Sequence, residues 1–156
     1  MEGLDVADAF RFYKAEAAKG DSEAQFRLGE AFYHGTGCTQ NRWMAFKWFQ
    51  AAGYKGHLEA MYWMGYIHFY GKGCPMDWEK GVMWLKKAAM QDHPAAQDML
   101  GFCYRFGNGV ENGQANKKLA REWYTKAAEN GCESSLESLA QMEAEATAEA
   151  HYLGIG

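Results

Sequence analysis

Four cysteines, at 38, 74, 103 and 132, and five histidines, at 34, 57, 68, 93 and 151, are the side chains best suited to nucleophilic or metal chemistry. A thiolate nucleophile needs an imidazole within hydrogen-bond reach and a third group that orients it. A structural zinc site needs Cys and His ligands in closely spaced pairs. Neither pattern is present. Cys38 and Cys74 stand 36 residues apart, Cys103 and Cys132 lack close Cys/His pairing, and His57 and His93 hold positions suited to helix caps. Cys103 with His68 is a pair that only the fold could assemble, and it has no visible orienting group. The chain has no phosphate-cradling loop after a strand, no Gly-x-Ser-x-Gly elbow and no paired carboxylates with a clear common cleft. No catalytic residue, metal ligand or cofactor is expected; a metal- or small-molecule-dependent enzyme stays the minority alternative.

The spacing of Cys38 and Cys74 belongs to a larger pattern. Gly29, Gly65 and Gly101 lie 36 residues apart, and the pairs Gly35/Gly37, Gly71/Gly73 and Gly107/Gly109 repeat with the same step. A fixed period of this size marks a solenoid of stacked helical pairs. Three units follow: residues 24–59, 60–95 and 96–134, the last with three extra residues after Val110. Each reads as an outbound helix, a glycine turn and a return helix. Ala24, Leu28 and Phe32 keep the four-residue spacing of one helical face, as do Ala60, Met64 and His68, then Ala96, Leu100 and Tyr104. Gly-x-Gly supplies the positive φ that ends the outbound helix. Asn41, Asp77 and Asn116 are placed to cap the return helices, with Asp5 at the same place in an earlier segment.

That earlier segment, residues 5–20, reads as a lone return helix. In the return helices the small residues Ala52, Ala88, Ala89, Ala127 and Ala128 permit close approach, and Trp48, Trp84 and Trp123 are expected in the core beside them. Gly20, Gly56 and Gly131 close return helices. Residues 135–152 lose the glycine marks and run on in Ala and Glu, the composition of a capping helix that stops the stack. The domain is therefore read as all-α, a single repeat domain over 1–156.

Net charge is −4 and unevenly spread: sixteen basic and fourteen acidic side chains fall in residues 1–126, and six glutamates with no Lys or Arg follow. No basic excess large enough to neutralise a run of phosphates is present, which argues against nucleic acid. The start Met1-Glu2-Gly3-Leu4-Asp5 has neither a basic stretch nor an apolar run, and no window approaches the length of a membrane span. A soluble cytoplasmic protein is expected, with no membrane partner and with reduced thiols. Cys38 and Cys74, at one turn position in adjacent units, would hold their Cα atoms about 10 Å apart, beyond disulfide reach.

Leu28-Gly29, the Gly35-x-Gly37 turn and the stretch Trp123-Tyr124-Thr125-Lys126-Ala127-Ala128 together resemble the Sel-1-like repeat, a relative of the tetratricopeptide repeat. Met64 and His68 replace its usual Leu and Tyr, and Cys38 and Cys74 stand where it generally has a turn valine. The resemblance implies a right-handed α/α superhelix whose outbound helices line the concave face. It also implies adaptor or scaffold roles in protein complexes. The disulfide of the family's secreted, cysteine-rich members joins positions such as 89 and 96, which are alanines here.

On that implied geometry the concave face carries Phe26, Glu30, Tyr33 and His34, then Tyr62, Tyr66, Phe69 and Tyr70, then Asp98, Phe102, Arg105 and Phe106. Eight of these twelve are aromatic, the composition of an interface hot spot. For Phe26 and Tyr62, presentation to a partner and packing between repeats are both open; Tyr66, Phe69, Phe102 and Phe106 are expected at the surface. The expected ligand is a protein partner, an extended peptide or a helix, with Arg27 or Arg105 meeting a carboxylate. A dedicated inhibitor or immunity-type protein that masks one effector is the alternative. Self-association through the acidic tail stays open.

Overall fold

The computed structural model describes residues 5–155. Eight α-helices follow one another among them: α1 Val6–Ala18, α2 Ser22–His34, α3 Arg42–Tyr54, α4 Leu58–Tyr70, α5 Trp78–Ala89, α6 Pro94–Phe106, α7 Lys117–Glu129 and α8 Ser134–Tyr152. They form an α/α solenoid in which α2/α3, α4/α5 and α6/α7 are the three helical pairs, α1 is a lone return helix, and α8 stands where a fourth outbound helix would begin.

Local chemistry sets each helix start. The Met44, Lys80 and Leu119 amides donate to the side chains of Asn41, Asp77 and Asn116 at 3.0, 2.9 and 3.0 Å. These bonds satisfy amides that would otherwise have no partner in the first turn. Asp5 precedes α1 but makes no such bond. The outbound helices begin two residues earlier than the unit starts read from the sequence, because Asp21, His57 and His93 are their caps: the Ala24, Ala60 and Ala96 amides donate to them at 2.6, 3.3 and 3.2 Å.

The glycines recur because other parts of the fold occupy the space of a side chain. A Cβ on Gly29, Gly65 or Gly101 would lie 2.7, 2.6 or 2.6 Å from the side chain of Phe49, Leu85 or Tyr124 on the paired return helix. Gly37, Gly73 and Gly109 have positive φ and sit on the backbone carbonyls of Val6, Arg42 and Trp78, the first residues of the preceding return helices. The turn glycine is thus the contact that sets one repeat on the last. The three extra residues of the third unit form a short 3-10 turn, Glu111–Gly113.

The buried column of the return helices is Phe49, Leu85 and Tyr124, together with Ala52, Ala88 and Ala127. The tryptophans lie one residue away. Trp84 is buried, whereas Trp48 and Trp123, expected in the core, are half-buried and pack against its margin. A helical step of one residue rotates a side chain by about 100°, enough to move it from the glycine-facing side to the flank. Successive outbound helices approach closely: α4 touches α6, and Arg105 of α6 reaches Gln141 and Glu145 of α8 at 3.3 and 2.6 Å. This row is the one that the resemblance to the Sel-1-like repeat puts on the inner side.

Candidate functional site

The inner row presents aromatic rings in contact from helix to helix. Tyr66 and Tyr70 lie one turn apart on α4 with centroids 4.7 Å apart, and Phe102 and Phe106 repeat that arrangement on α6 at 4.8 Å. Phe69 joins the two pairs, 5.1 Å from Tyr70 and 6.2 Å from Phe102. Tyr70, Phe102 and Phe106 keep 49, 41 and 52% of their surface exposed, so the patch is open to solvent over two helices. Tyr33, Tyr62 and Tyr66 are half-buried.

Two of the aromatics read as partner contacts are packing residues. Phe26 is 4% exposed, stacked on His57 at 4.6 Å and set against Phe49. Phe69, expected at the surface, is 6% exposed because Trp78 of α5 stacks over it at 6.0 Å. Neither arginine is free for a partner's carboxylate. Arg27 donates to Glu23 at 2.7 Å and Glu30 at 3.1 Å, and Arg105, with 9% of its side chain exposed, is held by Gln141 and Glu145.

Sequence reasoning missed Trp78 and Met76. Both are exposed, and with Phe106 they line an open cleft of about 760 Å³ between residues 76–79 and the turn 106–113. The cleft extends the aromatic patch over the edge of the solenoid. The available signal was that Trp78 follows the N-cap at the position where α3 and α7 carry Arg42 and Lys117.

A histidine–carboxylate contact recurs between repeats. The Nδ1 of His57 accepts the capping bond, which leaves Nε2 as the donor to Glu23 at 2.8 Å; His93 repeats this with Glu59 at 3.1 Å and stacks on Tyr62 at 4.7 Å. The His57 bond is the main cause holding the Glu23 carboxyl below its usual range. Burial pushes the Tyr62 phenol up to about 12, with Tyr66, Tyr70, Glu59 and Asp98 adding to it. Tyr62 is therefore neutral and flanked by acids.

Burial favours the protonated thiol at three cysteines, Cys38, Cys74 and Cys103. Burial pushes Cys103 up to about 12. His68 pairs not with Cys103 but with Cys74, Sγ to Nδ1 at 3.4 Å; burial raises the thiol and lowers the imidazole, which favours the uncharged pair. Cys38 donates its S–H to the Ala31 carbonyl at 3.4 Å. Among the described residues no group of three or more His, Cys, Asp and Glu is placed to hold a metal ion, and no helix is long and apolar enough to cross a membrane.

Comparison with known proteins follows the same outline. Residues 22–57, 58–93 and 94–132 match the Sel1 repeat. A Sel1 repeat protein from Oxalobacter formigenes is 31% identical with a TM-score of 0.80, over 88% of this chain and 55% of its own length. A protective antigen present in uropathogenic Escherichia coli strains, displaying an SLR fold, is 29% identical with a TM-score of 0.65, over 92% of this chain and 37% of its own. Helicobacter pylori cysteine rich protein B, at 20% identity and a TM-score of 0.67 over 88% of this chain and 99% of its own, shares the fold. The chain thus spans about half the length of the first of these and less of the second. A search of curated proteins finds no match.

Proposed function

Because the chain belongs to the Sel1 repeat family, whose members generally act as protein–protein interaction modules, we propose that it is an adaptor that binds a partner's peptide or helix along its inner row. Tyr66, Tyr70, Phe102 and Phe106 are the anchors, with Tyr33 and Tyr62 extending the surface and Trp78 at its edge. Phe69 supports Tyr70 and Phe102 from beneath, and Phe26 packs against Phe49 and His57. Arg27 and Arg105 hold the acidic side chains around them. The observation that carries this reading is the open run of rings in mutual contact across α4 and α6. Aromatic side chains of this kind supply large contact area at small cost in side-chain entropy. A cytoplasmic, reducing setting suits the protein, since Cys38 uses its S–H as a donor.

Capture from a lysate tests the reading. Wild type beside Tyr70→Ala/Phe106→Ala should differ by loss of at least one bound protein, since both residues are exposed and their truncation leaves the core intact. Retention of every partner by the double variant would contradict it. A single tight one-to-one partner lost in the variant would point to an effector-masking protein.

A further inference from the structure

The two rows of the solenoid differ in charge. Of the sixteen Lys and Arg residues only Arg27 and Arg105 lie on outbound helices, whereas eight of the twenty carboxylates do. Both arginines are already paired with carboxylates of the same row. Glu59, Asp98 and Glu137, on α4, α6 and α8 in turn, have no cationic partner among the described residues: Glu59 and Asp98 accept from His93 and Ser135, and Glu137 is exposed. The remaining fourteen cations lie on the return helices and loops. Glu59 and Asp98 flank Tyr62 near the N-terminal ends of α4 and α6, and Tyr70 and Phe106 lie at the C-terminal ends of the same two helices.

Resting on the groove reading above, we propose that the occupant of the inner row is a cationic segment of another protein, one that sets bulky apolar side chains on Tyr70, Phe102 and Phe106 and Lys or Arg against Glu59, Asp98 and Glu137. An acidic segment would meet the uncompensated carboxylates of α4, α6 and α8, where the outbound helices offer no free cation and Arg42 of α3 reaches only the Tyr33 ring on α2, at 5.8 Å; like charges brought together without a counter-ion oppose binding. Four outbound helices about 10 Å apart span about 30 Å, the reach of about nine extended residues. A linear segment of that size is enough to cross the row from α2 to α8.

The test uses the whole chain and two labelled peptides of about twelve residues, one repeating Lys-Leu-Lys-Trp and one repeating Glu-Leu-Glu-Trp, followed by fluorescence anisotropy at low and high salt. The cationic peptide should bind roughly tenfold or more tightly than the anionic one and weaken with salt. Asp98→Asn/Glu137→Gln should lower its affinity about three- to tenfold, as should Phe102→Ala/Phe106→Ala, while Glu122→Gln on α7 should leave it unchanged. Equal binding of the two peptides, preference for the anionic one, failure of the cationic one to bind, or indifference to Asp98→Asn/Glu137→Gln overturns the cationic assignment. Any of these outcomes leaves the groove reading to be judged by lysate capture alone. Concentration-dependent self-association of wild type that is lost in Asp98→Asn/Glu137→Gln would place a second copy's lysine-bearing return helices in the row and overturn the assignment to another protein.

Discussion

Gly65 and Gly101 have no room for even one carbon. Because a Cβ there would fall 2.6 Å from the Leu85 or Tyr124 side chain, either helix must shift to accept it. Gly101→Ala should therefore destabilise by about 2–3 kcal/mol, measured by urea denaturation. Ala140, which stands where those glycines would recur, is exposed, unlike Gly65 and Gly101. Ala140→Gly should cost no more than about 1 kcal/mol, from helix propensity alone. Equal losses at the two sites would contradict the packing account. His68 makes a second prediction at this scale. Burial holds its imidazole below the ordinary value of 6.5, so the unfolded chain takes up the proton first and stability falls as pH drops below about 6.5. His68→Tyr should flatten that part of the pH profile in chemical denaturation. An unchanged slope would show that the protonation lies elsewhere.

At the scale of the helix, caps and turns were legible in the sequence because each is decided by one or two residues. Asn41, Asp77, Asn116 and the Gly-x-Gly pairs are local devices, and they act where the sequence placed them. What depends on a neighbour in space was harder to read. Phe69 carries the same periodicity as its exposed neighbours, and it is covered by residues of other helices, Trp78 and Gly81 of α5 and Phe102 of α6. Arg105 is engaged because Gln141 and Glu145 of α8 reach across to it on α6. The acidic C-terminal helix keeps its glutamates at the surface, and Lys117–Glu149 at 2.7 Å, Arg121–Glu143 at 3.4 Å and Arg105–Glu145 at 2.6 Å fasten it to the third repeat. Glu145→Ala would leave the nearly enclosed Arg105 without its counter-ion. It should cost about 1–3 kcal/mol and speed amide exchange in α8 more than in α4. Uniform exchange along the solenoid would contradict that tie.

Across the whole molecule the repeat turns a one-dimensional pattern into two faces. The 36-residue step was visible in the sequence, and with it the all-α stacking, because glycine and alanine mark every unit. The division of charge between the faces was hidden in the linear count, where acidity seemed to belong to the C-terminal end. It emerges only when α2, α4, α6 and α8 are placed in one row. Proteins of this architecture recognise partners through such extended surfaces, and the open rings on α4 and α6 are the place proposed for it in this chain. A hydrogen-exchange footprint of the protein with a captured partner measures that directly. Protection concentrated in residues 58–70 and 94–106, with the return helices unchanged, is the predicted result. Protection confined to residues 42–54 and 78–89 on the opposite face would contradict it.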